Sequence, residues 1–241
     1  MLGPVMPVRC QHGLSLVEIL VALVLGLLLV SAVATLLVSH IVEHRRMLAE
    51  VRLMQDLRAA ADLVTRDLRR AGYWGRAEQA VADGTQPPLP NPYAGVWPDA
   101  QAGTTAALGS SYSRDDTEDG QSSSNERFGF RLNARTHVLE MRLGGAAITP
   151  DAGDSWQPLT DPNAIQITQF AVTNTQQSLS LLEHCPTPVC ASGSTTCPPR
   201  LQVSMLAVEI GATDPRDRSL TRVLRTQVRT RNDRVSGACP S

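Results

Sequence analysis

The chain has 241 residues and a formal net charge of −1, and every one of its basic residues is an arginine. The near-neutral charge predicts no strong attraction of the whole molecule to nucleic acid or anionic lipid. Because lysine is absent, the sequence excludes Schiff-base chemistry on a lysine and the lysine-dependent phosphate-binding loop.

The first predicted element is a long uncharged aliphatic run from Ile19 to Ser39. As a helix these residues span about 31 Å, the thickness of the hydrocarbon core of a bilayer. The run is longer than the apolar region of an ordinary secretory signal, and no clear small-residue cleavage pattern follows it. Glu18 lies at its start, where a carboxylate is costly unless it pairs with a cation or reaches the interface. The sequence therefore predicts a retained membrane helix.

The residues around Glu18 resemble the type IV prepilin processing signal. The segment Gly13-Leu14-Ser15-Leu16-Val17-Glu18 ends a short leader with glycine, continues with a hydrophobic residue and places glutamate fifth after the glycine. The family usually has phenylalanine where this chain has Leu14. The resemblance implies that prepilin peptidase removes the leader, residues 1–13, by cutting after Gly13 and methylates Leu14. It also implies that Glu18 pairs with the terminal ammonium of a neighbouring subunit, which sets the register of assembly.

A second apolar pattern follows the membrane run. Apolar residues recur at steps of three and four, with charged residues between them, at positions 47, 51, 54, 57, 61, 64, 68 and 71. This spacing predicts one amphipathic helix face, for which a soluble coiled coil is the alternative. No proline occurs from Leu14 to Ala71, and Gly72 is a natural helix stop. We predict a transmembrane and assembly helix over 14–42 and an amphipathic half over 43–72.

A polar connecting region, 73–126, separates the helix from the predicted head. Residues 83–125 are rich in Pro, Gly, Ser, Thr and Asp and show neither helical nor strand periodicity. Alternating segments then predict three hairpins, made of 127–133 with 136–143, 164–174 with 178–183, and 201–211 with 219–231. The predicted fold class is α+β and pilin-like: the long helix packs on an antiparallel β head, residues 127–241.

Four of the five cysteines lie in the last quarter of the chain, at Cys185, Cys190, Cys197 and Cys239, while Cys10 would leave with the leader. Their spacing is poor for structural zinc and favours disulfides in an oxidising compartment. Three pairings are open. Since Cys197 and Cys239 flank the third predicted hairpin, we hypothesise that they pair with each other and that Cys185 pairs with Cys190.

The charged residues beside the membrane run conflict with an oxidising compartment for the head. Arg45 and Arg46 follow the run, whereas the leader holds only Arg9. The positive-inside rule would place the head in the cytoplasm. The cysteines and the processing signal favour the outside, and large domains translocate largely regardless of flanking charge. We therefore expect the head in the periplasm.

Three further groups of residues could in principle bind a metal ion or a nucleic acid, but their patterns do not support such a site. His40 and His44 share a helix face without an evident third metal ligand. An acidic loop contains Asp115, Asp116, Glu118 and Asp119. It could attract calcium, but it lacks EF-hand spacing, so we interpret it as a solvated loop. The last strand carries a positive stripe without the aromatic residues of a single-strand nucleic-acid binder, formed by Arg222, Arg225, Arg229, Arg231 and Arg234. No hydrolase, metalloprotease or dinucleotide motif occurs. We predict no catalytic residue, no cofactor, no metal and no enzymatic activity.

Within pilin-like proteins the chain resembles the PilW family of minor pilins. The segments that carry this resemblance are 67–73, the long polar insertion and the terminal segment 228–233. It implies a minor pilin that initiates pilus assembly and supports attachment and twitching motility. The implied partners are prepilin peptidase, other minor pilins, the major pilin and the inner-membrane assembly platform, with a single-pass inner-membrane stage before the extracellular pilus. The alternatives are a minor pseudopilin of a type II secretion system and an uncleaved membrane-anchored adhesin or receptor.

Overall fold

A computed structural model of the chain describes residues 13, 15–80, 89–114, 118–194 and 196–240. The predicted leader up to residue 12, with Cys10, lies outside the described residues, as do Leu14, Asp115 and Asp116. The chain divides into two compact units, Met1–Ala49 and Glu50–Ser241. The described part of the first unit is helical, and the second unit holds the end of that helix and two antiparallel sheets.

Helix α1 runs without interruption from Leu16 to Leu68. Its first half exposes aliphatic side chains on all sides. The hydroxyls of Ser31, Thr35 and Ser39 each donate to the backbone carbonyl three residues earlier, at 2.8–2.9 Å. These bonds satisfy the polar side chains within the helix itself, as an apolar surrounding requires. Among the described residues, α1 is the one helix long and apolar enough to cross a membrane.

The second half of α1 buries part of the predicted stripe. Leu57, Ala61, Val64 and Leu68 are at most 3 % exposed, whereas Met47 and Val51 are 62 % and 53 % exposed. The end of the stripe is therefore buried, whereas its beginning is exposed. Buried side chains on the helix begin at Leu53. A periodic apolar face shows which side of a helix can be covered, but the extent of the sheets decides how much of it is covered.

The first sheet has five antiparallel strands in the order β1-β3-β4-β5-β6. They are β1 (Val96–Trp97), β3 (Ala107–Ser111), β4 (Arg127–Asn133), β5 (Val138–Gly144) and β6 (Ser155–Pro158). The pairing of β4 with β5 confirms the first predicted hairpin. The strands β1 and β3, together with β2 (Thr104–Thr105) of the other sheet, lie in the region predicted to be irregular. That prediction was wrong because strands of two to five residues are too short to show a period.

The second sheet contains β2, β7 (Gln166–Ser180), β8 (Arg200–Thr213), β9 (Thr221–Arg229) and β10 (Arg234–Ser236). Its order is β10-β8-β7-β2, with β9 also paired to β8. The pairing of β8 with β9 confirms the third predicted hairpin. The second predicted hairpin is wrong: residues 166–180 form one strand that pairs with β8 over its whole length. The segment Thr175-Gln176-Gln177 contains neither Gly nor Pro, so no turn interrupts the strand.

All four head cysteines form disulfides, Cys185 with Cys239 and Cys190 with Cys197. The hypothesised pairing was therefore wrong. It assumed that the last strand ended the sheet, but β10 continues along β8, with Val235 opposite Leu201. This extra strand carries the chain beyond the start of β8 and brings Cys239 to the loop that follows β7.

We expect the double substitution Cys185→Ser with Cys239→Ser to lower the free energy of unfolding of the second unit by roughly 2–4 kcal/mol, because this bridge closes a loop with a sequence separation of 54. Thermal unfolding of the purified full-length chain measures the loss. The matched control is Cys190→Ser with Cys197→Ser, whose bridge spans a separation of 7 and which should cost less. Equal losses for the two double variants would contradict the prediction.

Candidate assembly site and head surfaces

The predicted assembly residue, Glu18, lies in the first turn of α1. The backbone N–H groups of Glu18 and Ile19 both donate to the carbonyl of Ser15, at 3.0 and 3.2 Å. A carboxylate is favoured at this end of a helix by the helix dipole. Glu18 is exposed on the surface of α1, beside the apolar side chains of Val17 and Val21. In the described part of the chain no side chain or backbone group bonds its carboxylate, so this polar group has no partner there among the apolar side chains of the helix.

The two histidines and the acidic loop form no metal cluster within the described residues, where no three His, Cys, Asp or Glu side chains come together. Glu118 instead takes part in a structural network. It accepts hydrogen bonds from the Tyr93 hydroxyl at 2.9 Å and from the Gly75 and Gly120 N–H groups at 3.3 and 3.1 Å. Burial would raise the pKa of Glu118, but hydrogen bonds that include the one from Tyr93 lower it below its ordinary value.

The sequence analysis missed the centre of that network, Glu126, which is 2 % exposed. Its carboxylate, like that of Glu118, accepts a hydrogen bond from the Tyr93 hydroxyl. It also accepts hydrogen bonds from the backbone N–H groups of Ser123 and Arg114, at 3.0 and 3.1 Å. Burial would raise its pKa, but these hydrogen bonds hold the pKa below its usual value. The signal was present in the sequence, since Ser123 and Glu126 form the S-x-x-E capping box. The cluster ties the connecting region to the first sheet.

Three of the predicted stripe arginines are neutralised within the chain. Arg225 pairs with Glu209 at 2.8 Å, Arg229 pairs with Asp233, and Arg222 pairs with Glu50 of the helix. Arg222 and Arg225 cannot form one stripe, because odd and even positions of a strand point to opposite faces. Arg231 lies over the Tyr73 ring, 5.3 Å from its centroid. These pairings leave no continuous positive surface over Arg222, Arg225 and Arg229.

The segment that follows α1 joins the helix to both sheets. The N–H of Gly72, whose φ is +80°, donates to the Ser111 carbonyl at 2.9 Å. The Gly72 carbonyl accepts the side-chain amides of Asn91 and Asn232, each at 2.8 Å. The backbone N–H of Arg231 donates to the Ala71 carbonyl at 3.0 Å. The segments 67–73 and 228–233, which the sequence analysis singled out together, therefore contact each other.

A second contact of the same junction involves a partly buried carboxylate, that of Asp67. The Tyr112 hydroxyl donates to Asp67 Oδ1 at 3.1 Å, while Asp67 Oδ2 is buried without a hydrogen-bond partner. Burial raises the pKa of Asp67, against the hydrogen bond from Tyr112 and the charge of Arg70. Burial and the Asp67 charge raise the pKa of Tyr112 to about 12. The Tyr112–Asp67 hydrogen bond thus ties the end of α1 to the residue that follows β3.

Comparison with protein families identifies two matches. The family described as prepilin peptidase-dependent protein B matches residues 46–230. The prokaryotic N-terminal methylation motif matches residues 8–34, which include Gly13, Leu14 and Glu18. No curated protein and no solved structure matches the chain.

Proposed function

Since this chain belongs to the family of prepilin peptidase-dependent protein B and is type IV pilin-like, we propose that it is a minor pilin that helps to initiate and assemble a type IV pilus. Its role is structural, and the head binds other pilin subunits. In this proposal it acts in the manner that the PilW resemblance implies, with attachment and twitching motility as the consequences of assembly. Its partners are prepilin peptidase, other minor pilins, the major pilin and the assembly platform of the inner membrane.

The observation that carries the proposal is the unpaired carboxylate of Glu18 in an apolar helix segment. A buried or lipid-exposed carboxylate is costly, so it favours any state that supplies a cation. Cleavage after Gly13 would create a terminal ammonium at Leu14, four residues before Glu18. In an assembled filament the ammonium of one subunit would reach the carboxylate of the next. The same charge pair would fix the axial register of the helices.

The test is the N-terminus of the mature chain. We expect protein isolated from membranes to begin at N-methyl-Leu14 in cells that have prepilin peptidase and at Met1 in cells that lack it. Mass spectrometry of the N-terminal peptide distinguishes the two. A chain that begins at Met1 in both strains would refute the proposal and favour an anchored receptor or adhesin.

A pseudopilin of a type II secretion system is the second candidate, because its leader, helix and sheet head would give the same N-terminus. Measuring the number of surface pili and the amount of secreted enzyme distinguishes the two functions. Deletion of this chain is expected to reduce surface pili and leave secretion unchanged. The reverse result would assign the chain to secretion.

A further inference from the structure

The apolar side chains of β8 change from one face of the sheet to the other within the strand. Leu206, Val208, Ile210 and Ala212 are buried at alternate positions. Before them, the apolar residues Leu201, Val203 and Met205 occupy the odd positions. The pairing of β7 with β8 is regular from residue 169 to 180, so no bulge restores the alternation. Since successive strand residues point to opposite faces, the two apolar sets lie on opposite faces of one sheet.

The odd set extends across three strands. Leu201 lies opposite Leu179 of β7 and opposite Val235 of β10. Leu179 and Val235 are 56 % and 54 % exposed, and Leu201, Val203 and Met205 are half-buried between the neighbouring strands. We call the five residues the outer apolar patch: Leu179, Leu201, Val203, Met205 and Val235. The other face of the same strands is polar at Ser178, Gln202 and Ser204.

The patch reaches an open sheet edge. On the side away from β8, β7 pairs with β2 only at Val172 and Thr173. Among the described residues no strand pairs with the outer edge of 174–180, so alternate backbone N–H and C=O groups there lack a partner strand. Residues 174–182 contain no charge and no proline, the devices that usually protect an edge. An uncharged edge of this kind accepts an additional strand.

The end of the sheet that carries the patch is held in place covalently. The bridge between Cys185 and Cys239 links the loop after β7 to the segment after β10, and the Leu181 N–H donates to the Pro199 carbonyl at 2.8 Å. The patch is therefore formed before any partner binds, which lowers the entropy cost of docking.

We propose that the outer apolar patch and the open edge of β7 bind an extended, uncharged strand of another pilin-like subunit. Such a strand would hydrogen-bond the edge and continue the row of Leu179, Leu201 and Val235 with its alternate apolar side chains. This inference rests on the proposed function and names the surface through which the head acts.

The charge around the patch favours this occupant. The patch has no charged side chain, and the adjacent Arg229 is paired with Asp233. A nucleic acid or an anionic membrane would find no unpaired cation within the patch. A neutral strand satisfies both the apolar side chains and the unpaired backbone groups.

The experiment uses the full-length chain in piliated cells, with the photoreactive residue p-benzoylphenylalanine placed at Leu179 or, as the matched control, at Val223 of β9. The two side chains are similarly exposed, at 56 % and 50 %, but Val223 pairs with Gly211 of β8 and lies away from the patch and from the open edge of β7. We expect the probe at Leu179 to be cross-linked to a strand peptide of another chain that carries an N-terminal methylation motif, with at least fivefold lower yield from Val223. Leu179→Asp should weaken co-purification of the same partner more than Val223→Asp.

Equal yields from both positions, no adduct, an adduct to lipid alone or an adduct to a second copy of this chain would overturn the inference. The N-terminus is measured on the same samples. A chain that matures at Leu14 but forms no adduct overturns the docking surface alone. A chain that stays at Met1 and still forms the adduct supports the surface and refutes the proposed pilus function.

Discussion

Replacing Glu18 with alanine is expected to leave cleavage after Gly13 intact and to lower the amount of this chain in sheared pili at least tenfold. The carboxylate has no partner among the described residues of its own chain, so its removal breaks no contact with them. In the assembled state it is proposed to face a terminal ammonium in an apolar surrounding. A charge pair of this kind fixes geometry strongly because each unpaired charge is costly there. Immunoblots of sheared pili, normalised to the chain in membranes, measure the change.

Glu43→Ala is the matched control for this prediction. Glu43 is also an exposed acid of α1, but it lies 25 positions further along the helix. It should change incorporation less than twofold. Unchanged piliation in Glu18→Ala, or equal losses in both variants, would show that Glu18 does not set the register. Retained uncleaved precursor in Glu18→Ala would instead place the residue in recognition by the peptidase.

The substitution Asp154→Ala is expected to lower the free energy of unfolding by roughly 3–5 kcal/mol, because it leaves a buried guanidinium without its counter-charge. Arg142 is completely buried and pairs with Asp154 at 2.7 Å. Its guanidinium also donates to the carbonyls of Ala147 and Ile148, at 2.6 and 3.2 Å. Burial lowers the pKa of Arg142, and the charge of Asp154 opposes that shift. The pair thereby fixes the loop between β5 and β6.

This loop covers the first sheet at Gly109. A Cβ atom built on Gly109 would lie 2.0 Å from the Ile148 carbonyl oxygen, so the backbone contact requires glycine. Losing the pair therefore releases a loop that packs directly on a strand. Thermal or denaturant unfolding of the full-length chain measures the effect. Glu209→Ala is the control, because its pair with the exposed Arg225 lies on the solvent side, so its loss should destabilise the chain much less than the loss of the buried pair. Similar losses in the two variants would contradict the role of the buried pair.

The processing signal and the long helix were accessible from sequence because both are local. Gly13 to Glu18 form a contiguous motif, and a helix of this length follows from aliphatic composition and the absence of proline. The hairpins 127–144 and 200–229 were accessible for the same reason, since adjacent alternating segments pair across short turns. Each depends on residues that are neighbours along the chain.

The errors concern contacts between residues distant in sequence. The disulfide pairing depended on β10, a strand of three residues that forms only because β8 supplies its partner. The burial limit at Leu53 depended on where the sheets end. The partners of the stripe arginines, Glu50 and Glu209, depended on which face of β9 meets the helix, although strand alternation alone already separates Arg222 from Arg225. Neither the disulfide pairing nor the burial limit has a local sequence signal.

The sequence by itself determined the helix, the processing motif, the α+β class and the number of head cysteines, because composition and short-range periodicity carry that information. The tertiary structure alone decided which cysteines pair, which arginines are neutralised and which apolar residues stay exposed. The apolar residues of β8 change from odd to even positions between Met205 and Leu206 in the sequence. Such a change can mean either a β-bulge or a move of the apolar side chains to the other face of the sheet. Only the regular pairing of β7 with β8 shows that the apolar side chains cross to the outer face.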